Sequence, residues 1–222
     1  ISLVDRDAVD VAAPHRDRRL QVDLWYPAAA VHGAKPEVYQ ASLQAEPPGA
    51  PVPFTMPGIA VRDAKPIYER FPLVIVSHGR SNATIALSWL TENLASKGYV
   101  VAAIRHDDLP RSNPLEIPEM LLRRPLDVAF VAGALQRTLA ERGQIDPART
   151  ALIGYSMGGY AVLTAAGGAL DPSGAVAHLV PDNLLAAYAQ GGARREETRV
   201  RGLQAVVAIA PFGIRKVVVQ DS

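Results

Sequence analysis

The 222-residue sequence contains no cysteine. This excludes disulfides, thiolate nucleophiles and cysteine-ligated metals, and it leaves the redox compartment open. Net charge is nearly absent as well, with 23 Lys and Arg against 22 Asp and Glu, interspersed along the chain. Such a chain offers no basic stripe to follow phosphates, so nucleic acid is not expected as a partner. No apolar run approaches the roughly 20 residues of a membrane-spanning helix. There is no visible signal peptide, internal repeat or low-complexity tail. The first residue is Ile1 rather than Met, so a removed leader or a longer N-terminal part stays open, as does a cytoplasmic or an exported location.

What is present is an apolar fraction of 49%, enough for one sizeable core. Leu20 to Tyr26 alternates apolar and polar residues before Pro27, the pattern of a strand with one covered face. Residues 27–72 are rich in Pro, Ala and Gly and are read as a surface excursion holding a short hairpin. From there four continuous apolar runs follow: Leu73–Val76, Tyr99–Ile104, Thr150–Gly154 and Leu203–Pro211. Each reads as a strand buried on both faces. Helices are expected between them over Ser88–Lys97, Pro125–Glu141 and Tyr160–Ala166, with a further one over Asp182–Gln190. Alternating strands and helices make the expected fold class α/β: one domain over residues 1–222, built on a mostly parallel sheet with helices on both faces. Trp25 and Trp89 are expected in the core, and Arg123 and Arg124 at a solvated helix start.

Gly154-Tyr155-Ser156-Met157-Gly158 fits G-x-S-x-G, and its setting matters more than the pattern. A buried strand leads in and a small-residue helix leads out, which lifts a serine hydroxyl above the sheet edge on a strained turn. Ser156 is the candidate nucleophile. The helix start after it offers the Met157 N–H where an oxyanion would form. The turn after "VIVSHG" can aim a second backbone N–H, that of Arg80, at the same point. His106-Asp107-Asp108 is marked down as a metal site, because adjacent residues of an extended segment point alternately; a loop bonded to its own backbone is preferred. Asp107 or Asp108 is left as a group that orients the pocket from the carboxyl edge of the sheet.

These pieces carry a resemblance. "LWYPA" (Leu24 to Ala28), "FPLVIVSHG" (Phe71 to Gly79), "HDD" (His106 to Asp108), "RRPLDVAFV" (Arg123 to Val131), "GYSMGGY" (Gly154 to Tyr160) and "VVAIAPFG" (Val206 to Gly213) resemble the α/β-hydrolase superfamily. Within it they are similar to the predicted dienelactone-hydrolase branch, near the platelet-activating-factor acetylhydrolases and bacterial cutinase-like polyesterases. The resemblance implies a serine carboxylic-ester or lactone hydrolase that acts on small-molecule esters without metal or organic cofactor. Ser156 would be its nucleophile, and the N–H groups of Met157 and Arg80 its oxyanion hole.

The superfamily orders its triad as serine, acid, histidine. Here only His178 follows Ser156, ahead of the Leu203 strand, and it is a weak candidate for the base. "KVVVQD" resembles the acid-bearing strand, which makes Asp221 a weak acid candidate, although "FGIRK" is too short for a parallel crossover. The expectation is therefore an esterase domain that is C-terminally incomplete, lacking the last strands, and inactive or weak as it stands. A non-catalytic binding protein that kept the fold without a complete triad is the alternative.

Overall fold

The structure is a computed structural model that describes residues 1–6, 8, 11, 17–30, 32–43, 50–174 and 177–213, and the backbone of 218–219. Its main sheet has six strands: β1 (Ser2–Asp5), β2 (Arg18–Trp25), β5 (Phe71–Ser77), β6 (Val100–Arg105), β7 (Ile145–Tyr155) and β9 (Leu203–Ile209). They lie in the order β1-β2-β6-β5-β7-β9. β1 and β2 run antiparallel, β2 meets β6 antiparallel, and β6, β5, β7 and β9 run parallel. The excursion carries the expected hairpin, β3 (Val38–Leu43) against β4 (Val52–Pro57).

Period-two alternation divides each central strand between two cores. Leu73 and Ile75 of β5 face one core with α2 (Glu116–Glu141) and α3 (Met157–Ala165). Val74 and Val76 face the other with Trp25, Tyr39, and Leu87 and Ala95 around α1 (Ser88–Ser96). This is the helix-covered, mostly parallel α/β sheet expected from the apolar runs. Along α2, Val128, Val131, Leu135 and Leu139 form the anticipated buried stripe.

α2 starts nine residues before the predicted Pro125, and its prolines explain the difference. Pro118 sits in the first turn, where an amide needs no helical acceptor. Pro125 lies inside the helix and cannot donate to the carbonyl of Leu121. The Tyr160 hydroxyl donates to that carbonyl at 2.7 Å, supplying the missing bond and tying α3 to α2.

Four other expectations are corrected. Trp89 is 65% exposed, whereas Trp25 is buried and its Nε1–H donates to the Tyr39 hydroxyl. Arg123 and Arg124 are buried among acids rather than solvated. β9 is not covered on both faces: it is the outermost strand of the sheet among the described residues, and Val207 and Ile209 are exposed. The Asp182–Gln190 helix is instead a set of 3-10 turns over Pro181–Tyr188, interrupted by positive φ at Asp182 and Asn183. The short strand β10 (Val218–Val219) pairs antiparallel with β8 (Ala169–Leu170), outside the main sheet. Asp221 lies outside the described residues.

Candidate active site

Ser156 stands between β7 and α3 at φ 53° and ψ −114°. A non-glycine residue pays for positive φ, so the surroundings must hold it there. The Ser156 N–H donates to the Ile209 carbonyl at 2.9 Å, and the Ser156 carbonyl accepts from the N–H of Phe212 and of Tyr160. The flanking glycines are required by space. A Cβ on Gly154 would collide with the Gly158 backbone, and one on Gly158 would collide with the carbonyls of Ser77 and His78. The elbow therefore sits directly on the carboxyl end of β5.

Met157 opens α3, and no acidic side chain occupies the first turn to neutralise the helix terminus. The positive end of nine aligned residues is thus presented at Ser156. From the other side comes the loop after β5. A Cβ on Gly79 would lie 3.4 Å from the Ser156 Cβ and 3.0 Å from the Tyr155 ring, so the loop backbone passes close to the serine. Arg80 follows immediately, its side chain drawn into an ion pair with buried Glu116. Ser156, Met157 and Arg80 are thus brought to one place at the carboxyl edge of the sheet. His178 is exposed in the 3-10 turn Ala177–Leu179, and among the described residues no histidine is hydrogen-bonded to Ser156.

A serine-histidine-aspartate set that does not include Ser156 lies beneath the elbow. Ser77 Oγ is 2.8 Å from His106 Nε2, and His106 Nδ1 is 2.9 Å from Asp127 Oδ2. Asp127 also accepts a bidentate pair from Arg18, at 2.9 and 3.0 Å. Burial alone would raise the Asp127 carboxyl; Arg18, His106 and Arg123 outweigh it and hold it well below the ordinary carboxylate range. Burial, aided by Arg124, pushes His106 down to about 4 despite Asp127. The ring is therefore neutral at pH 7, with Nδ1–H donating to the carboxylate and Nε2 accepting from Ser77. Ser77 and the His106 side chain have no accessible surface, so this set has no route for a substrate. It joins β2, β5, β6 and α2 under the site. The sequence reading did not find it.

The same region answers how the loop after β5 is held. Arg124 Nη1 donates to the His78 carbonyl at 2.6 Å, and Arg124 pairs through two nitrogens with Asp108. His78 Nδ1 lies 2.7 Å from the Gly79 carbonyl. Burial first, then Arg124 and His106, keep His78 well below its ordinary pKa, so the ring is neutral. A carbonyl can only accept, so the proton is on Nδ1. Of the HDD segment, His106 and Asp108 both bond to distant residues rather than to their own loop. Among the described residues there is no cluster of side chains able to hold a metal ion.

The family model for PET hydrolase-like proteins matches residues 66–189, more than half of the chain and including β5, α2 and the whole elbow. The chain belongs to the PET hydrolase-like family. Cutinase est2 of Thermobifida alba is 33% identical over 86 residues, which are 39% of this chain and 27% of that protein. A ferulic acid esterase from Streptomyces cinnamoneus is 27% identical with a TM-score of 0.49, covering 73% of this chain and 52% of that one. Butyrate-bound esterase Est2 of Thermogutta terrifontis is 14% identical with a TM-score of 0.41, covering 81% and 49%. This PET hydrolase-like chain thus spans about half the length of the solved esterases it matches, and 27% of the curated cutinase.

Proposed function

We propose that this PET hydrolase-like chain is a carboxylic-ester hydrolase that works through an acyl-enzyme on Ser156. The observation that carries the reading is Ser156 at positive φ, on the N-terminus of α3 and against the Gly79–Arg80 loop. Ser156 Oγ attacks the carbonyl carbon of a small ester or lactone while its proton passes to a base. The oxyanion takes hydrogen bonds from the N–H groups of Met157 and Arg80, each such donor being worth about 10²–10³ in rate. The carbon–oxygen bond to the alcohol breaks, and the alcohol leaves with the proton the base took up. Water then attacks the acyl group and releases the acid.

The proton acceptor is assigned to a histidine outside the described residues, and the acid to Asp221 or a counterpart also outside them. Hydrolysis of p-nitrophenyl butyrate tests the reading: slow release above the buffer rate, lost in Ser156→Ala, supports it. Hydrolysis unchanged by that substitution overturns it. No hydrolysis by a folded wild-type chain favours the rival, a binding module that kept the hydrolase fold.

A further inference from the structure

Glycine at position 79 solves one problem at the site and creates another. A Cβ here would crowd the Tyr155 ring at 3.0 Å and touch the Ser156 Cβ at 3.4 Å, so glycine suits this close approach. Yet glycine leaves the adjoining peptides free to rotate, since it populates both halves of the φ range. Ser81, two residues on, stands at φ 54°, so the turn is already in an unusual conformation. An oxyanion donor is useful only if its N–H is aimed before the substrate arrives.

The carbonyls of His78 and Gly79 are both gathered on one side of the loop. Arg124 Nη1 takes the His78 carbonyl at 2.6 Å. The His78 Nδ1–H takes the Gly79 carbonyl at 2.7 Å, with Arg124 Nη2 beyond it at 3.5 Å. In a trans peptide the C=O and the following N–H point in opposite directions. Holding these two carbonyls towards Arg124 therefore turns the N–H groups of Gly79 and Arg80 the other way. Consecutive N–H groups on one side form the kind of concavity that binds anions. The guanidinium itself is fixed: Arg124 is fully buried, and its Nε and Nη2 are bound by Asp108, with the Nε bond at 3.0 Å.

We propose that Arg124, seated by Asp108, is a positioning residue that locks the two peptides flanking Gly79 and so aims the Arg80 N–H at the oxyanion formed on Ser156. The inference rests on the esterase reading of Ser156. Arginine is required because one planar fork must serve two carbonyls and a carboxylate together, which a lysine ammonium on a flexible stem does not reproduce.

The test has two arms on the full chain. In the first, crystal structures of wild type, Arg124→Met and Asp108→Asn are compared at the Gly79–Arg80 peptide. The lock predicts a rotated or multiply oriented peptide in Arg124→Met and a milder change in Asp108→Asn, which keeps the fold if the first variant does not. In the second, the rate of Ser156 phosphonylation by a fluorophosphonate is measured. It falls by about a hundredfold in Arg124→Met, the cost of one lost oxyanion donor, with only partial recovery in Arg124→Lys. An unmoved peptide in a folded variant overturns the lock. A rotated peptide with an unchanged labelling rate overturns its link to the oxyanion. A wild-type chain that is never labelled at Ser156 fails the esterase reading instead, and the first arm still judges the lock.

Discussion

The Tyr160 hydroxyl donates to the Leu121 carbonyl at 2.7 Å, filling the bond that Pro125 removes from α2. Tyr160 is the fourth residue of α3, so the helix that carries Ser156 on its N-terminus is fastened to its neighbour at a defect in that neighbour. Both groups are buried, and a buried carbonyl left without a donor costs about 1–3 kcal/mol.

Tyr160→Phe is therefore expected to lower stability by about that amount. In a Pro125→Ala background the amide of residue 125 can donate to Leu121, so the cost of Tyr160→Phe shrinks. Urea denaturation of the four proteins gives the coupling directly. Strictly additive costs would contradict the assignment.

The buried imidazoles make stability depend on pH. His106 has a folded pKa of about 4, against about 6.5 in an unfolded chain. As pH falls below about 6.5 the unfolded chain takes up a proton that the folded chain refuses, so stability present above that value is lost towards pH 4. The loss from His106 is about 3 kcal/mol, and His78, depressed in the same direction, adds to it. Asp127, held low when folded, adds a further loss below about pH 4. Denaturation midpoints between pH 7 and 4 should fall steeply in wild type and less in His106→Gln. Equal slopes would contradict the neutral buried ring.

Among the described residues, Asp127 is the carboxylate nearest Arg18 and Arg123 and also accepts from the neutral His106 ring, with Glu119 farther from both arginines. Removing one partner of a buried ionic set costs about 3–5 kcal/mol, because the remaining charges stay desolvated. Asp127→Ala should lose that much, and the measurement is its unfolding free energy at pH 7. A loss below about 1 kcal/mol, typical of exposed pairs, would refute a load on this carboxylate.

The 27–72 excursion is pinned by one residue of α1. Glu92 accepts from the N–H of Ile59 and Ala60 and from the Tyr39 hydroxyl, which in turn accepts from Trp25. Glu92→Ala removes the common acceptor, and trypsin should then cut faster after Arg62, the basic residue of this loop that no proline follows. Unchanged cleavage would show that Glu92 is not what holds the excursion.

The sequence made the elbow legible because its residues are local: Gly154, Ser156 and Gly158 lie within five residues, and a Cβ on Gly154 would meet the Gly158 backbone, although the clash that demands Gly158 comes from the carbonyls of Ser77 and His78 at the end of β5. The central strands were legible because burial on both faces leaves continuous apolar runs. The polar interior was not. Ser77 and His106 lie 29 residues apart, and His106 and Asp127 lie 21 apart. They meet because β5 and β6 are parallel neighbours with Ser77 opposite Ile104. Polar residues at the carboxyl ends of two adjacent apolar runs were the available signal. Arg124 looked solvated because its acid, Asp108, lies 16 residues away; Arg123 looked solvated because the helix that sets Glu119 and Asp127 four residues to either side of it was expected to begin only at Pro125; and α2 looked shorter because the donor that tolerates Pro125 belongs to α3.

Intact-mass analysis after exposure to a fluorophosphonate, with peptide mapping and Ser156→Ala as control, tests the central claim most directly. One adduct on Ser156, absent from the variant, is the predicted result. An adduct on Ser77, the serine that already holds a histidine and an aspartate in line, or no adduct on a folded chain, would contradict it.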